Sequence, residues 1–257
     1  MEIVIISIVA FLTAILTFFS GFGLGTILTP VMMVFFPVEI AIALTGVVHF
    51  SNNIFKLFLV GKNFDKDILL RFGIPAVIFA FIGASLLLLI PNQEPIYTYI
   101  FFDKTFEIFA IKLIVALLMM FFAVIDLIPY LNNIEFHRNK LPIGGAFSGF
   151  FGGLTGAQGA LRSAFLIRSG MTKEAFIGTT VVISSFVDLT RLSVYSTRLL
   201  QIDLNENLLL ITIATLSAIS GAFIGNKLLK KVTLAFLQKT VATMLVIISL
   251  ALGLGLI

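Results

Sequence analysis

The sequence predicts an all-α integral membrane protein of two inverted repeats, each a Gly-interrupted re-entrant helical hairpin plus three transmembrane helices. Composition, the length of the apolar runs and an internal repeat lead to this fold class. Of the 257 residues, 59% are hydrophobic and only 12% are charged, with a mean hydropathy of +1.13. A water-soluble chain of this size needs a more polar surface. We therefore expect a multi-pass protein of the inner or plasma membrane.

Apolar runs of about twenty residues recur along the chain, and each is long enough to cross a hydrocarbon layer of about 30 Å. Loops between them are short, except Pro91–Glu107. The first and fifth runs are interrupted by glycines, at Gly21–Gly25 and Gly152–Gly159. The eight predicted segments are approximately 3–36, 38–60, 68–90, 107–130, 142–169, 172–197, 205–229 and 232–256.

The second half of the chain repeats the first at a shift of about 135 residues. Matched charged positions inside apolar segments are much less frequent by chance than matched apolar ones. The repeat predicts a first unit over residues 1–131 and a second over 132–257, which together form one transport domain. The equivalent positions include Gly21 and Gly156, Glu39 and Glu174, Thr45 and Thr180, Asn53 and Asp188, and Lys56 and Arg191.

The distribution of Lys and Arg favours inverted rather than parallel repeats. If each of the two interrupted segments returns to the face of the membrane from which it enters, eleven basic residues lie on the cytoplasmic side and three lie outside. This bias agrees with the positive-inside rule. Eight plain crossings in two parallel repeats remain the alternative, although that topology divides the basic residues almost evenly.

The glycine clusters predict breaks in the helices at membrane depth. Glycine costs about 1 kcal/mol relative to alanine in a helix, so several together favour a break. A broken helix frees backbone N–H groups and points a positive N-terminus at the break, which suits an anion. Broken segments at matching places in two repeats are typical of a transporter site. Close helix packing through small residues is the alternative.

Polar and ionisable residues inside the segments complete the predicted site, because each is costly in a bilayer unless it is paired or functional. Three cations, Lys56, Arg162 and Arg191, outnumber Asp188 and favour an anionic ligand. The alternatives are that Lys56 and Arg191 extend toward the interface, and that Asp188 and Arg191 neutralise each other. The candidate substrate-binding residues are Gly23, Gly25, Asn52, Asn53, Lys56, Gln158, Gly159, Arg162, Ser184, Asp188 and Arg191, with His49 as a candidate for proton coupling.

The composition gives little support to other functions. The chain has no cysteine and only two histidines, without a cluster at metal-ligand spacing, so neither a metal nor a cofactor is expected and enzyme activity is not predicted. No basic and aromatic surface suggests binding to nucleic acid. The expected partners are a small anionic substrate and the lipid bilayer, with a homo-oligomer left open.

The order and duplication of short motifs resemble the TauE/SafE sulfite-exporter family over essentially the full length of the chain. Each motif is degenerate alone. The matching features are the Gly-rich turn Gly21–Gly25 leading to Pro30, the helix starts at Ala41…Thr45 and Gly178-Thr179, the loop Gly61–Asp65, and the helices containing Ile82-Gly83 and Ile224-Gly225.

This resemblance implies export of sulfite, sulfonates or related small sulfur-containing anions. The Gly turns and the polar residues of the second and sixth segments are the positions that it carries over. The second turn departs from the family pattern, because Ala157 and Gln158 replace glycines and Phe165 replaces a proline. We expect transport by alternating access. A passive anion channel and a membrane scaffold without transport activity remain the alternatives.

Overall fold

The computed structural model describes residues 1–89, 94–128, 138–199, 204–228 and 234–256. The chain is mostly helical, and short 3₁₀ turns over 61–63, 138–140 and 167–169 join several helices. A π-helical turn over 69–73 joins α4 to α5. The elements are α1 (Glu2–Ser20), α2 (Gly25–Met32), α3 (Val38–Val60), α4 (Lys66–Ile68), α5 (Ile74–Leu89), β1 (Tyr97–Phe101), β2 (Lys104–Ile108), α6 (Ala110–Leu127), α7 (Leu141–Thr155), α8 (Gly159–Leu166), α9 (Lys173–Leu199), α10 (Leu204–Leu228) and α11 (Leu234–Gly253).

The helices are long and apolar enough for a multi-pass membrane protein. Among the described residues, four helical stretches meet the length and hydropathy needed to cross a bilayer. Three shorter apolar helices accompany them, at Glu2–Phe18, Ala110–Phe121 and Lys239–Gly253. The four long stretches are Val38–Asn63, Lys66–Leu89, Lys173–Ser196 and Asn207–Lys227.

Both predicted helix breaks are present. Helix α1 ends at Gly21 with φ of 74°, and α7 ends at Gly156 with φ of 77°. A left-handed residue of this kind ends a helix without a Cβ penalty when it is glycine. The two glycines occupy equivalent positions in the sequence repeat, so α1 and α7 both end at a left-handed glycine.

The second break is shorter than the sequence predicted. Gly152 and Gly153 lie inside α7, and the chain leaves helical geometry only over 156–158. A Cβ on Gly152 would lie 2.5 Å from the Cβ of Gln158, and one on Gly153 would strike the Ala80 carbonyl. These two glycines are therefore needed for close packing rather than for the break itself.

One β-hairpin departs from the all-α prediction. Strands β1 and β2 pair antiparallel, with Tyr97 opposite Ile108 and Phe101 opposite Lys104. The hairpin occupies the segment predicted to be a long loop, where β-branched and aromatic residues favour strands. It is attached to the helical body by the Tyr99 hydroxyl, which donates to the Leu254 carbonyl at 2.6 Å.

Small residues allow α5 and α7 to pack closely and in parallel. A Cβ on Gly145 would strike the Phe72 carbonyl. A Cβ on Gly153, two turns after Gly145, would strike the carbonyl of Ala80, which lies two turns after Phe72. The two helices therefore run in the same direction. Small residues at such spacing let helix backbones approach in a membrane, as the packing alternative supposed. Helices α1 and α10 also pack extensively, so each broken segment has a partner from the other half.

Helices α3 and α9, which are equivalent in the sequence repeat, cross the protein side by side in opposite directions. A Cβ on Gly46, early in α3, would lie 3.5 Å from the Arg191 guanidinium carbon, late in α9. At the other end, one on Gly178 would lie 2.9 Å from the Val60 carbonyl. The predicted boundary between residues 131 and 132 lies outside the described residues, and the division into two repeats stays a prediction.

Candidate functional site

The two broken turns touch each other backbone to backbone. A Cβ on Gly159, the first residue of α8, would fall on the Phe22 carbonyl of the first turn. On the other side, a Cβ on Gly25 would lie 2.9 Å from the Gly156 carbonyl oxygen. The two turns can approach this closely because Gly159 and Gly25 have no side chains. The contact between the turns brings the polar residues of α3, α8 and α9 together.

Asp188 is the centre of a buried hydrogen-bond network. One carboxylate oxygen, Oδ2, lies 2.6 Å from His49 Nδ1 and accepts from Asn53 Nδ2 at 2.9 Å. The other, Oδ1, accepts from Gln158 Nε2 and from Arg191 Nε, both at 2.9 Å. Asp188 is fully buried, and these four donors use the accepting capacity of its carboxylate. We assign the His49 proton to Nδ1, because that nitrogen faces the carboxylate.

Arg162 is buried and bonded only to neutral acceptors among the described residues. Its Nη1 donates to Gln158 Oε1 and its Nη2 to the Gly21 carbonyl, both at 3.0 Å. Its Nε has no hydrogen-bond partner among the described residues. The guanidinium thus joins the second turn to the first, and no carboxylate in the described part of the chain contacts it directly.

Lys56 is a second buried cation. Its side chain is 3% exposed, and Nζ lies 5.2 Å from the centre of the Phe18 ring. No carboxylate of the described residues forms an ion pair with it. A buried ammonium is costly unless an anion or an aromatic face compensates it, and the ring provides only part of that compensation.

A small cavity lies between these two cations and the first turn. Its volume is about 10 Å³, which is room for about one water molecule. Thr17 and Thr180 add hydroxyl groups to its wall. The predicted site residues that line it are Gly23, Asn53, Lys56, Arg162 and Ser184, together with Gly21.

The other predicted residues lie beside this cavity rather than in its wall. His49, Gln158, Asp188 and Arg191 form the network behind it. Gly25 and Gly159 are covered by the contact between the turns. Asn52 is fully buried, and neither of its amide atoms has a partner among the described residues.

The structure also decides between the alternatives for individual cations. Arg191 pairs with Asp188, with Nη2 and Oδ1 2.9 Å apart, as the neutralisation alternative supposed. Lys56 and Arg191 are 3% and 0% exposed, and both are covered by protein. Sequence reasoning missed Thr17 and Thr180 as cavity residues, although the repeat aligned Thr180 with Thr45. Among the described residues, no group of three or more His, Asp or Glu side chains is placed to hold a metal ion.

A family model described as "Sulfite exporter TauE/SafE" matches residues 6–252. The chain belongs to the TauE/SafE sulfite exporter family. The family predicted from the motifs is therefore confirmed, and it places the chain among membrane transporters of sulfur-containing anions. A search of curated proteins finds no match to this chain. The broken helices and the buried cations of this TauE/SafE protein thus lie in a chain whose family transports anions.

Proposed function

We propose that this protein transports sulfite, sulfonates or related small sulfur oxyanions across the cell membrane by alternating access. The observation that carries the proposal is the cavity between Lys56 and Arg162, two buried cations that have no direct carboxylate partner in the part of the chain that the structure describes. A sulfur oxyanion offers several acceptor oxygens, and charge-assisted hydrogen bonds to Lys and Arg are about twice as strong as neutral ones.

The size of the cavity supports alternating access. A space of about 10 Å³ holds about one water, and a sulfite ion is larger. An anion therefore enters only when the turns and the α3–α9 pair move apart, as in the rocking of one repeat against another. The contact between Gly159 and the Phe22 carbonyl is where this movement is expected to separate the two halves.

Two features support inverted repeats with re-entrant hairpins. Helices α3 and α9 are equivalent in the repeat and run antiparallel, as inversion requires. Helix α7 has 15 residues and a length of about 22 Å, which is less than the hydrocarbon thickness of about 30 Å. Because α7 ends at a left-handed glycine before crossing that distance, we propose that α8 returns the chain toward the same face.

The orientation of the repeats is tested by labelling single cysteines, since the native chain has none. We expect a membrane-impermeant maleimide to label Asn139→Cys and Thr172→Cys, which flank the second hairpin, only from the cytoplasmic side. Asp103→Cys, at the tip of the β-hairpin, should be labelled only from outside. Labelling of Asn139→Cys and Thr172→Cys from opposite sides would show that the segment between them crosses the membrane, and would contradict the inverted arrangement. Transport of sulfite by each variant provides the control for correct folding.

The proposed substrate is tested with the lysine in the cavity and a matched lysine elsewhere. Lys56→Gln should weaken sulfite binding by about 10- to 100-fold, because a hydrogen bond to a charged group contributes about 1.5–3 kcal/mol. Lys112→Gln is the control, since Lys112 also lies over a phenylalanine ring, 5.7 Å from the centre of Phe109, but does not line the cavity. Binding is measured by isothermal titration calorimetry in detergent.

Flux through proteoliposomes then separates a transporter from the other classes. We expect saturable flux of sulfite or a sulfonate, and a competing panel of sulfate, taurine, sulfoacetate and carboxylates ranks the substrates. Flux that never saturates would favour a passive channel. Wild-type protein that neither binds nor moves any sulfur oxyanion would contradict the proposed function.

A further inference from the structure

A second group of buried polar atoms lies on the opposite side of Asp188 from the cavity. Arg191 Nη1, Thr29 Oγ1 and Thr45 Oγ1 have no hydrogen-bond partner among the described residues. All three side chains are at most 1% exposed. Buried donors without partners are costly and rare in folded proteins, so several of them in one region indicate a missing ligand.

Gly156 brings two of these groups to one point. A Cβ on Gly156 would lie 2.9 Å from Thr29 Oγ1 and 3.1 Å from Arg191 Nη1. The missing side chain thus leaves the hydroxyl and the guanidinium facing the same small space. Thr45 lies close to Gly156. A Cβ on Gly25 would be 3.8 Å from Thr45 Cγ2 and 2.9 Å from the Gly156 carbonyl oxygen. A guanidinium beside hydroxyl groups suits an oxyanion.

The direction of α3 and α9 places this group away from the cavity along the membrane-crossing axis. Thr45 and Lys56 are eleven residues apart on α3, which corresponds to about 16 Å along the helix. On the antiparallel α9, Arg191 lies toward the Thr45 end and Thr180 toward the Lys56 end. The Asp188 network separates the two groups, so they face opposite ends of the helix pair.

The sequence repeat relates the two groups to each other. At a shift of about 135 residues, Gly21 of the cavity corresponds to Gly156, Lys56 corresponds to Arg191, and Thr180 corresponds to Thr45. Three members of the second group, Gly156, Arg191 and Thr45, are therefore the equivalents of residues that line the cavity, and Thr29 is added to them. In inverted repeats, equivalent residues take equivalent positions relative to opposite faces of the membrane.

We propose that Arg191, Thr29, Thr45 and Gly156 form a second oxyanion subsite, which opens when the transporter faces the side opposite to the Lys56–Arg162 cavity. This proposal rests on the proposed function and adds the location of the anion in the other half of the transport cycle. Asp188 holds Arg191 while the second subsite is closed, and the space at Gly156 receives the anion when the subsite opens.

The test uses single cysteines and a charged thiol reagent that is itself a sulfonate, (2-sulfonatoethyl) methanethiosulfonate. Thr29→Cys probes the second subsite, and Ser184→Cys probes the cavity. We expect reaction of Ser184→Cys only from the cytoplasmic side and of Thr29→Cys only from outside, in oriented proteoliposomes. Sulfoacetate, a sulfonate that does not react with thiosulfonates, should slow both reactions by about tenfold at ten times its Kd, as expected for competition with a bound ligand.

A second pair of variants covers the case in which Thr29→Cys does not fold. Thr45→Cys and Thr180→Cys are equivalent in the repeat, and they should react from outside and from the cytoplasmic side, respectively. Reaction of all cysteines from one side, or of each from both sides equally, would overturn the second subsite. Failure of sulfoacetate to slow the reaction at positions 29 and 45, with protection intact at 184, would also overturn it. Absence of binding and flux of every sulfur oxyanion tested with the wild type would instead overturn the proposed function.

Discussion

The two glycine turns end equivalent helices with the same left-handed residue but differ in what fills the space behind them. In the first turn, Gly23 carries no side chain, and a Cβ there would lie 3.0 Å from His49 Nε2 and 3.6 Å from Arg162 Nη2. In the second, the equivalent position is Gln158, whose amide contacts both Asp188 and Arg162. The first turn is therefore open to a ligand at Gly23, whereas the side chain of Gln158 fills the equivalent position of the second turn.

A difference in charge accompanies this difference in space. The first half places Asn53 one helical turn before Lys56, and the second half places Asp188 one turn before Arg191. Arg191 is consequently paired with a carboxylate, whereas Lys56 has no carboxylate partner among the residues that the structure describes. Of the two equivalent cations, Lys56 is therefore more available to bind an anionic ligand than Arg191. This explains why the open cavity lies beside Lys56. Changes that make the two halves more alike should remove this asymmetry.

The largest effect on folding is expected from a substitution at Gly159 that forces the two turns apart. Gly159→Ala would place a methyl group on the Phe22 carbonyl, and neither backbone segment can move without disturbing the other turn. We expect little or no monodisperse protein by size-exclusion chromatography in detergent. Gly170→Ala is the control: no described atom lies within 4 Å of a Cβ there, so the expected cost comes from its left-handed φ of 77° and is about 1–2 kcal/mol. Equal behaviour of the two variants would contradict the contact between the turns.

A large effect is also expected from removing the carboxylate that neutralises Arg191. Asp188→Asn leaves Arg191 buried without its ion pair, and breaking such a pair costs about 3–5 kcal/mol. The free energy of unfolding is measured by titration with SDS in mixed micelles. A loss below about 1 kcal/mol would show that the network does not hold α3 and α9 together.

Exchanging the two polar residues tests whether the carboxylate has to lie on α9. In the double variant Asn53→Asp with Asp188→Asn, the carboxylate moves to the position one turn before Lys56. We expect the double variant to recover more than half of the stability that Asp188→Asn loses, because the two side chains already touch at 2.9 Å. Sulfite binding to the Lys56 cavity should weaken, since that lysine gains a competing anion. Additive losses of stability would show that the two positions are not interchangeable.

A moderate effect is expected from making the second turn resemble the first. Gln158→Gly removes the hydrogen bonds to Asp188 and Arg162 and should lower the free energy of unfolding by about 1–3 kcal/mol. It also opens space beside Arg162, so larger sulfonates should gain affinity relative to sulfite. Calorimetric titration with sulfite and taurine measures this ratio. An unchanged ratio would mean that Gln158 does not limit the size of the anion.

The sequence predicts well those features that depend on neighbours along the chain. The eight segments correspond to the observed helices, and both breaks follow from glycine clusters at repeat-equivalent positions. The hairpin at Tyr97–Ile108 was missed because its residues were interpreted as a loop between membrane segments. Gly152 and Gly153 were placed in the break because composition alone does not distinguish a glycine needed for φ from one needed for packing.

Contacts between distant residues were only partly predictable. The three-residue spacing of Asp188 and Arg191 indicated a pair, and it is observed. The bond between His49 and Asp188 joins residues 139 positions apart, and no local pattern indicates it. The same holds for Gly25 and Gly159, which were predicted to offer N–H groups to a ligand but lie in the contact between the turns. These features depend on how α3, α8 and α9 pack, which the repeat alone does not determine.

The smallest effect is expected at an exposed ion pair that resembles the buried one. Asp67 lies four residues before Arg71 and accepts from its Nε at 2.7 Å, and Arg138 Nη1 also donates to it at 2.7 Å. The side chains are 40%, 48% and 53% exposed, so water and salt screen these interactions. Asp67→Asn should therefore leave the melting temperature by circular dichroism and the sulfite flux unchanged within error. If Asp67→Asn were as destabilising as Asp188→Asn, burial would not be the reason that the Asp188 network is important, and the comparison between the two halves would lose its electrostatic basis.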